Sequence, residues 1–197
     1  MTWSDLVADV RAQIDVPESE ALAWLVDRAR VLNAEAAWLL REATIPVTVS
    51  SGEWPLPDDC LRTEAVVVGA IPFQRATLSQ LDQARAFHNT RPIYADGVDD
   101  TGSNLIQIHP PVNGNLTLRY IATIPEPADP ATESPPFPED ITPILADGAI
   151  GQGLARMDER FDSAGYFDAR FVDGIARLKR RRHGHVGRGG TSIRVVR

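Results

Sequence analysis

Apolar residues at Trp3, Leu6, Val7, Val10 and Ile14 recur at the i, i+3, i+4, i+7 spacing of one helix face. Ser4 or Thr2 stands where a side chain caps the first turn. Val16 and Pro17 interrupt the pattern, and Glu18 to Ala43 then predicts a long helix with Leu22, Leu25, Ala29, Leu32, Ala36 and Leu39 on one stripe. Trp24, Val26, Val31 and Trp38 lie off that stripe. A helix apolar on more than one side must bury more than one side, so this one either sits centrally in its domain or packs on a second subunit.

From Thr44 the period changes to alternation. Ile45, Val47 and Val49 against Thr48 and Ser50 predict a half-buried strand, followed by strand candidates at Glu53 to Leu56, Arg62 to Val68 and Ile71 to Arg75. Gly69-Ala70 predicts a tight turn between the last two. Thr77 to Phe87 returns to helix, with Thr77 or Ser79 as cap and Leu78, Leu81, Ala84 and Ala86 as its apolar face. Strand signals resume at Ile93 to Ala95, Leu105 to His109 and Leu116 to Ile121, with turns at Asp96-Gly97 and Asn113-Gly114. Asp96 to Gly102 reads as the mobile tip of a hairpin.

Six prolines between Pro125 and Pro138 favour an extended connector. Ile141, Ile144, Leu145, Gly148, Gln152 and Ala155 then trace a helix face from Asp140 or Thr142 to about Phe161. Glycine costs helix stability, so Gly148, Gly151 and Gly153 predict close contact with a neighbouring helix. Ser163 to Gly165 reads as a break, and Tyr166 to about Arg182 as a last helix burying Phe167, Phe171, Ile175 and Leu178. Gly184, Gly187, Gly189 and Gly190 then remove helical order, and Thr191 to Val196 has a strand-like signature. The expected class is α+β: a helical bundle of two N-terminal and two C-terminal helices, with a small inserted antiparallel β-sheet region and a flexible C-terminal arm. Its segments are 1–43 (helices), 44–124 (strands with one helix), 125–138 (proline-rich crossover), 139–182 (helices) and 183–197 (arm).

Charge changes this picture by dividing the chain. The net charge is −7, yet no acid follows Asp173, where eight of the 20 basic residues lie; the other 12 face all 27 acids in residues 1 to 173. An acidic body bears a basic tail. Met1 to Ile14 lacks the layout of a secretion signal, and no apolar run approaches a membrane span. Cys60 is the sole cysteine, which excludes an internal disulfide and fits assembly in a reducing cytoplasm.

Catalysis requires convergent groups, and none assemble from the sequence. His183 and His185 read as solvated tail residues rather than metal ligands. Asp96, Asp99 and Asp100 lack the ligand order of a calcium loop, and Gly187-Arg188-Gly189-Gly190 lacks the Lys-Ser/Thr of a phosphate loop. Cys60 reads as a core filler. No enzyme activity, metal or cofactor is expected.

Ordered motifs carry a family resemblance over about residues 1 to 160. Leu56-Pro57-Asp58-Asp59 precedes Val66-Val67-Val68-Gly69, and Leu78 to Leu81 follows as a short helix. Pro92-Ile93-Tyr94, Leu105-Ile106-Gln107-Ile108-His109-Pro110-Pro111 and Leu116-Thr117-Leu118-Arg119-Tyr120 follow in turn, and then Phe137-Pro138-Glu139-Asp140 before Ile141. In this order they resemble the head-to-tail connector adaptors of tailed bacteriophages. The resemblance implies a structural protein of the virion neck, repeated in a ring of typically twelve copies. Its implied partners are other copies of itself, the portal, a following connector or tail protein, and double-stranded DNA passing without sequence specificity. No membrane partner is expected.

Within that frame, Trp24, Trp38 and Leu39 are the expected subunit-interface residues. Arg180, Arg181 and Arg182, with Ser192, Ile193, Arg194, Val195, Val196 and Arg197, are the expected portal-docking arm, the final six adding as a β-strand to an edge of the portal. The alternative reading is a nucleic-acid-binding module built on the Lys179 to Arg182 cluster and the tail.

Overall fold

The computed structural model describes residues 1–49, 52–99, 102–156 and 161–186; for residues 161, 162 and 183–186 only the backbone is described. The chain divides into two compact units, one formed by residues 1–39 and 123–197, the other by residues 40–122.

In the first unit, α1 (Trp3–Gln13) starts on a capping box in which Thr2 accepts from the Asp5 backbone N–H and Asp5 accepts from that of Thr2. Helix α2 (Glu18–Ala36) supplies Ala21, Trp24, Leu25, Val26, Ala29 and Leu32 to a shared core. Helix α4 (Thr142–Arg156) adds Ile144, Leu145, Ala149, Ile150 and Leu154, and α5 (Phe161–Val186) adds Ala164, Phe171 and Leu178. The crossover between the units' boundary and α4 is pinned by buried Ile124 and Phe137. The indole of Trp38 donates to the Pro136 carbonyl at 2.9 Å.

The close helix contact expected at the glycines is present. A Cβ on Gly148 would lie 2.7 Å from the Phe171 ring, one on Gly151 2.8 Å from the Asp168 carboxylate, and one on Gly153 2.5 Å from the Trp24 indole. Gly174 on α5 answers them from the other side, with Ile144 2.4 Å from where its Cβ would stand.

The second unit holds β1 (Leu40–Val47), β2 (Glu53–Pro55), β3 (Cys60–Val68), β4 (Ile71–Arg75), α3 (Leu78–Ala86), β5 (Ile93–Val98), β6 (Asn104–His109) and β7 (Gly114–Ala122). The strands form one sheet in the order β1-β7-β3-β4-β5-β6-β2. Every pairing is antiparallel except β4 with β5, where Gln74 faces Ile93. Proline falls on both edges, Pro46 in β1 and Pro55 in β2, where a missing ladder donor costs least. Alternation along β7 sends Leu116, Leu118 and Tyr120 inward against Val66 and Val68 of β3. The β3–β4 hairpin turns on Gly69 at φ +62°, as a two-residue loop with glycine first requires.

The expected fold class is overturned. The strands are neither few nor purely antiparallel: they form a seven-stranded mixed sheet that is a nearly closed barrel, with helices at both ends of the chain. Short strands carry no sign of which neighbours they pair with, and the crossover through α3 that makes β4 and β5 parallel leaves no local mark. Smaller corrections share that origin. Helix α2 stops at Ala36, not Ala43, because Ala37 turns left-handed at φ +51° and the Asn33 side chain takes the Leu39 backbone N–H at 2.7 Å. Leu40 to Ala43 pair instead with Ile121 to Leu118 of β7. Asp96 and Gly97 lie inside β5, opposite Ile106 and Leu105, so the turn falls later, where Ser103 donates to the Asp99 side chain. Ser163 to Gly165 lie within α5 rather than breaking it, and Phe161 begins that helix rather than ending α4. The helical backbone continues past Gly184 to Val186.

Candidate functional site

Five of the eight basic residues that mark the chain's end, Arg177, Lys179, Arg180, Arg181 and Arg182, lie on α5. Its buried row, Ala164, Phe171, Gly174 and Leu178, fixes the helix on α2 and α4 and turns the intervening cations outward. Their charges are largely met by the chain's own acids. Lys179 Nζ donates to Glu35 at 2.7 Å, Arg181 grips Asp140 with both guanidinium nitrogens, Nη1 to Oδ1 at 2.8 Å and Nη2 to Oδ2, and Arg177 donates to Asp173 at 2.8 Å. Arg180 is the loosest, 4.0 Å from Asp173 with its side chain 72% exposed. The Arg181 guanidinium holds the Asp140 carboxyl below the usual carboxylate range, through the hydrogen bond first. All these pairs are solvent-exposed, a setting in which an ion pair is worth about 0–1 kcal/mol.

Above this ridge, α4 and α5 enclose a groove of about 360 Å³ lined by Pro143, Ile144, Tyr166 and Ala169 and rimmed by Asp140, Asp147, Asp173, Arg170 and Arg177. Asp147 is the buried charge here. Burial pushes its carboxyl up, against the pull of Arg170 at 3.1 Å. Arg170 also lies over the Tyr166 ring, 5.7 Å from its centre.

The expected interface residues separate. Trp24 is buried in its own chain, packed on Gly153 and covered by the Arg156 guanidinium 5.4 Å above the ring. Trp38 and Leu39 are only partly buried against the core. Of the expected arm, Arg180 and Arg181 are side chains on α5 and Arg182 shares the helix. Ser192, Ile193, Arg194, Val195, Val196 and Arg197 lie outside the described residues, as does most of the segment 183–197. No cluster able to hold a metal occurs among the described residues, and no helix there is long and apolar enough to cross a membrane. Cys60 is buried, and burial pushes its thiol up, away from the reactive thiolate.

In the second unit, the Leu56-Pro57-Asp58-Asp59 motif has a structural task that the sequence did not disclose. Asp59 accepts from the Tyr120 hydroxyl at 3.0 Å and pairs with Arg41, joining β1, β7 and the entry to β3. Burial and that carboxylate push the Tyr120 phenol up to about 12. Sequence reasoning also missed the exposed apolar residues Phe87, Val98, Tyr166 and Val172. Phe87, Tyr166 and Val172 fall in the expected helices and Val98 in the expected hairpin tip, but only the packed neighbours reveal which side faces out.

Among the described residues the surface presents a ridge of outward cations on α5, a groove between α4 and α5, and exposed apolar side chains. The family model of the SU10 adaptor protein matches residues 1–194, and the chain belongs to this phage head-tail adaptor family. The match extends well past residue 160, through Arg194 of the basic tail. Membership makes the chain a structural phage adaptor, a component of the virion, and implies contact with portal and tail proteins. No curated protein sequence matches the chain.

Proposed function

We propose that the protein is the neck adaptor of a tailed phage: a ring of identical copies, twelve in the form the resemblance implies, that docks on the portal, continues its DNA channel and presents a platform for the next connector or tail protein. The observation that carries this is the family match along essentially the whole chain, since it covers both compact units and the basic tail together. The net charge of −7 supports a channel component, because fixed cations would hold passing phosphates and release counterions, while an acidic wall lets duplex slide.

In this reading residues 183–197 dock on the portal. Ile193 and Val195 would fill pockets while main-chain hydrogen bonds extend a portal sheet. Trp38 and Leu39, partly buried in the single chain, are the candidates for the contact between copies. The nucleic-acid-binding alternative draws less support, because Lys179, Arg181 and Arg177 already face Glu35, Asp140 and Asp173. Filled phage heads lacking this protein test the function. They should fail to join purified tails and regain infectivity when the purified protein is added; heads that join tails equally well without it would refute the proposal.

A further inference from the structure

Phe87 is the most exposed large apolar residue described, 82% accessible, and it is not loose. It closes α3, where its N–H donates to the Gln83 carbonyl at 3.0 Å and the next residue, His88, turns left-handed at φ +49°. Asn89 then donates back to the Ala84 carbonyl at 2.9 Å, accepts at its own carbonyl from the His109 Nε2 at 2.6 Å, and takes the Arg91 N–H on its side chain at 3.0 Å. A left-handed non-glycine residue costs energy, and here the bonds around it hold an aromatic ring out into solvent. The stretch that carries the ring is basic: Gln83 to Ala95 contains Arg85, His88 and Arg91 and no acid, and Arg85 lies 3.7 Å from Asp82 just before it.

The crossover before α4 has the opposite character. From Ile121 to Ala155 there is no basic residue, while Glu126, Asp129, Glu133 and Glu139 stand exposed among prolines. None of these four pairs with a basic side chain among the described residues. The strap is also preformed: Glu133 Oε1 accepts from the backbone of Ala128 and Asp129, and the Pro130 and Glu133 carbonyls accept from Ser4 and Trp3.

We propose that the Phe87 tip of one copy docks on the acidic, proline-rich strap of a second copy, the ring lying against the prolines and Arg91 and His88 facing the exposed carboxylates. Aromatic surfaces recognise extended proline segments because little ordering entropy is lost, and opposite charges set register and speed encounter. Both surfaces are ordered before contact, which lowers the cost of binding. The contact joins two different patches, so it is heterologous and propagates head to tail, as a ring requires. This inference rests on the ring reading above and assigns it a contact.

The test is sedimentation of the full chain over a concentration series at low and high salt. The wild type should associate more weakly as salt rises. Phe87→Ala, a change at a largely exposed side chain that leaves the fold intact, should weaken association about tenfold or more, the loss expected for a central aromatic anchor. Arg91→Glu and Glu126→Lys should each fail to self-associate, and mixing them should restore association, since each retains the surface the other lacks. Variants that associate like the wild type overturn this contact and leave the ring reading standing. A wild-type chain that stays monomeric, alone and on the portal, contradicts both. Loss of duplex DNA binding in Phe87→Ala with association unchanged would make the tip a nucleic-acid contact and likewise overturn the proposal.

Discussion

At the scale of single residues, glycine gives the sharpest contrast. Gly153 faces Trp24 and Ile14 at distances no Cβ tolerates, while Gly165 sits in α5 with open space where a Cβ would stand. Gly153→Ala should therefore lower stability by about 1–3 kcal/mol through overpacking. Gly165→Ala should raise it by about 0.5–1 kcal/mol through helix propensity. Urea unfolding of the two variants checks both signs. Asp147 offers a pH test. Its carboxyl is raised by burial, so the folded state holds its proton more tightly than the unfolded chain, and stability falls as pH rises above the ordinary carboxylate value near 3.8. Asp147→Asn should remove that decline: the variant should be no less stable than the wild type at neutral pH and should differ from it least in acid. A variant markedly less stable at neutral pH would show that the Arg170 pair outweighs the burial. Asp140 works the other way, its lowered carboxyl stabilising the fold above about pH 3.8 and losing that contribution as the pH falls further.

At the scale of elements, the caps were legible before the packing was. Thr77 accepts from the Gln80 backbone N–H and Gln80 answers it, so the start of α3 is encoded in four residues. Thr77→Ala should cost about 1 kcal/mol, read as a lowered Tm. The end of α2 was not legible, because Leu39 and Ala43 continue a helical stripe as plausibly as they begin a strand. What decides is Asn33, whose side chain takes the Leu39 N–H only once the chain has already turned at Ala37. The parallel β4–β5 pair was hidden for a related reason: Gln74 and Ile93 meet only after α3 has crossed, and neither residue marks the orientation. The expected subunit contact shows the limit for surfaces. Of two tryptophans that the periodicity left off the stripe, Trp24 is taken by the chain's own Gly153, and Trp38 keeps partial exposure. Trp38→Glu should therefore leave the monomer folded, by circular dichroism, while reducing neck assembly. Normal assembly would remove Trp38 from the contact between copies.

At the scale of the whole molecule, function was more legible than fold. The order of degenerate motifs from Leu56-Pro57-Asp58-Asp59 to Phe137-Pro138-Glu139-Asp140 pointed to the adaptor family, while the extent of the sheet and its mixed pairing did not emerge from strands read singly. Two candidate surfaces were half visible. The basic ridge on α5 was plain in the sequence, but its neutralisation by Glu35 and Asp140 depends on residues 144 and 41 positions away. The Phe87 tip was hidden in an ordinary amphipathic segment. Removing the residues after Gly190 should leave both units folded and abolish portal docking, measured by co-sedimentation; full portal binding by the shortened chain would locate the docking surface elsewhere. The most direct test of the adaptor role is the mass of purified portal mixed with excess full-length chain, measured by light scattering on the separated complex. The account predicts one discrete heavier species carrying a complete ring of copies, and a portal that elutes at its own mass would contradict it.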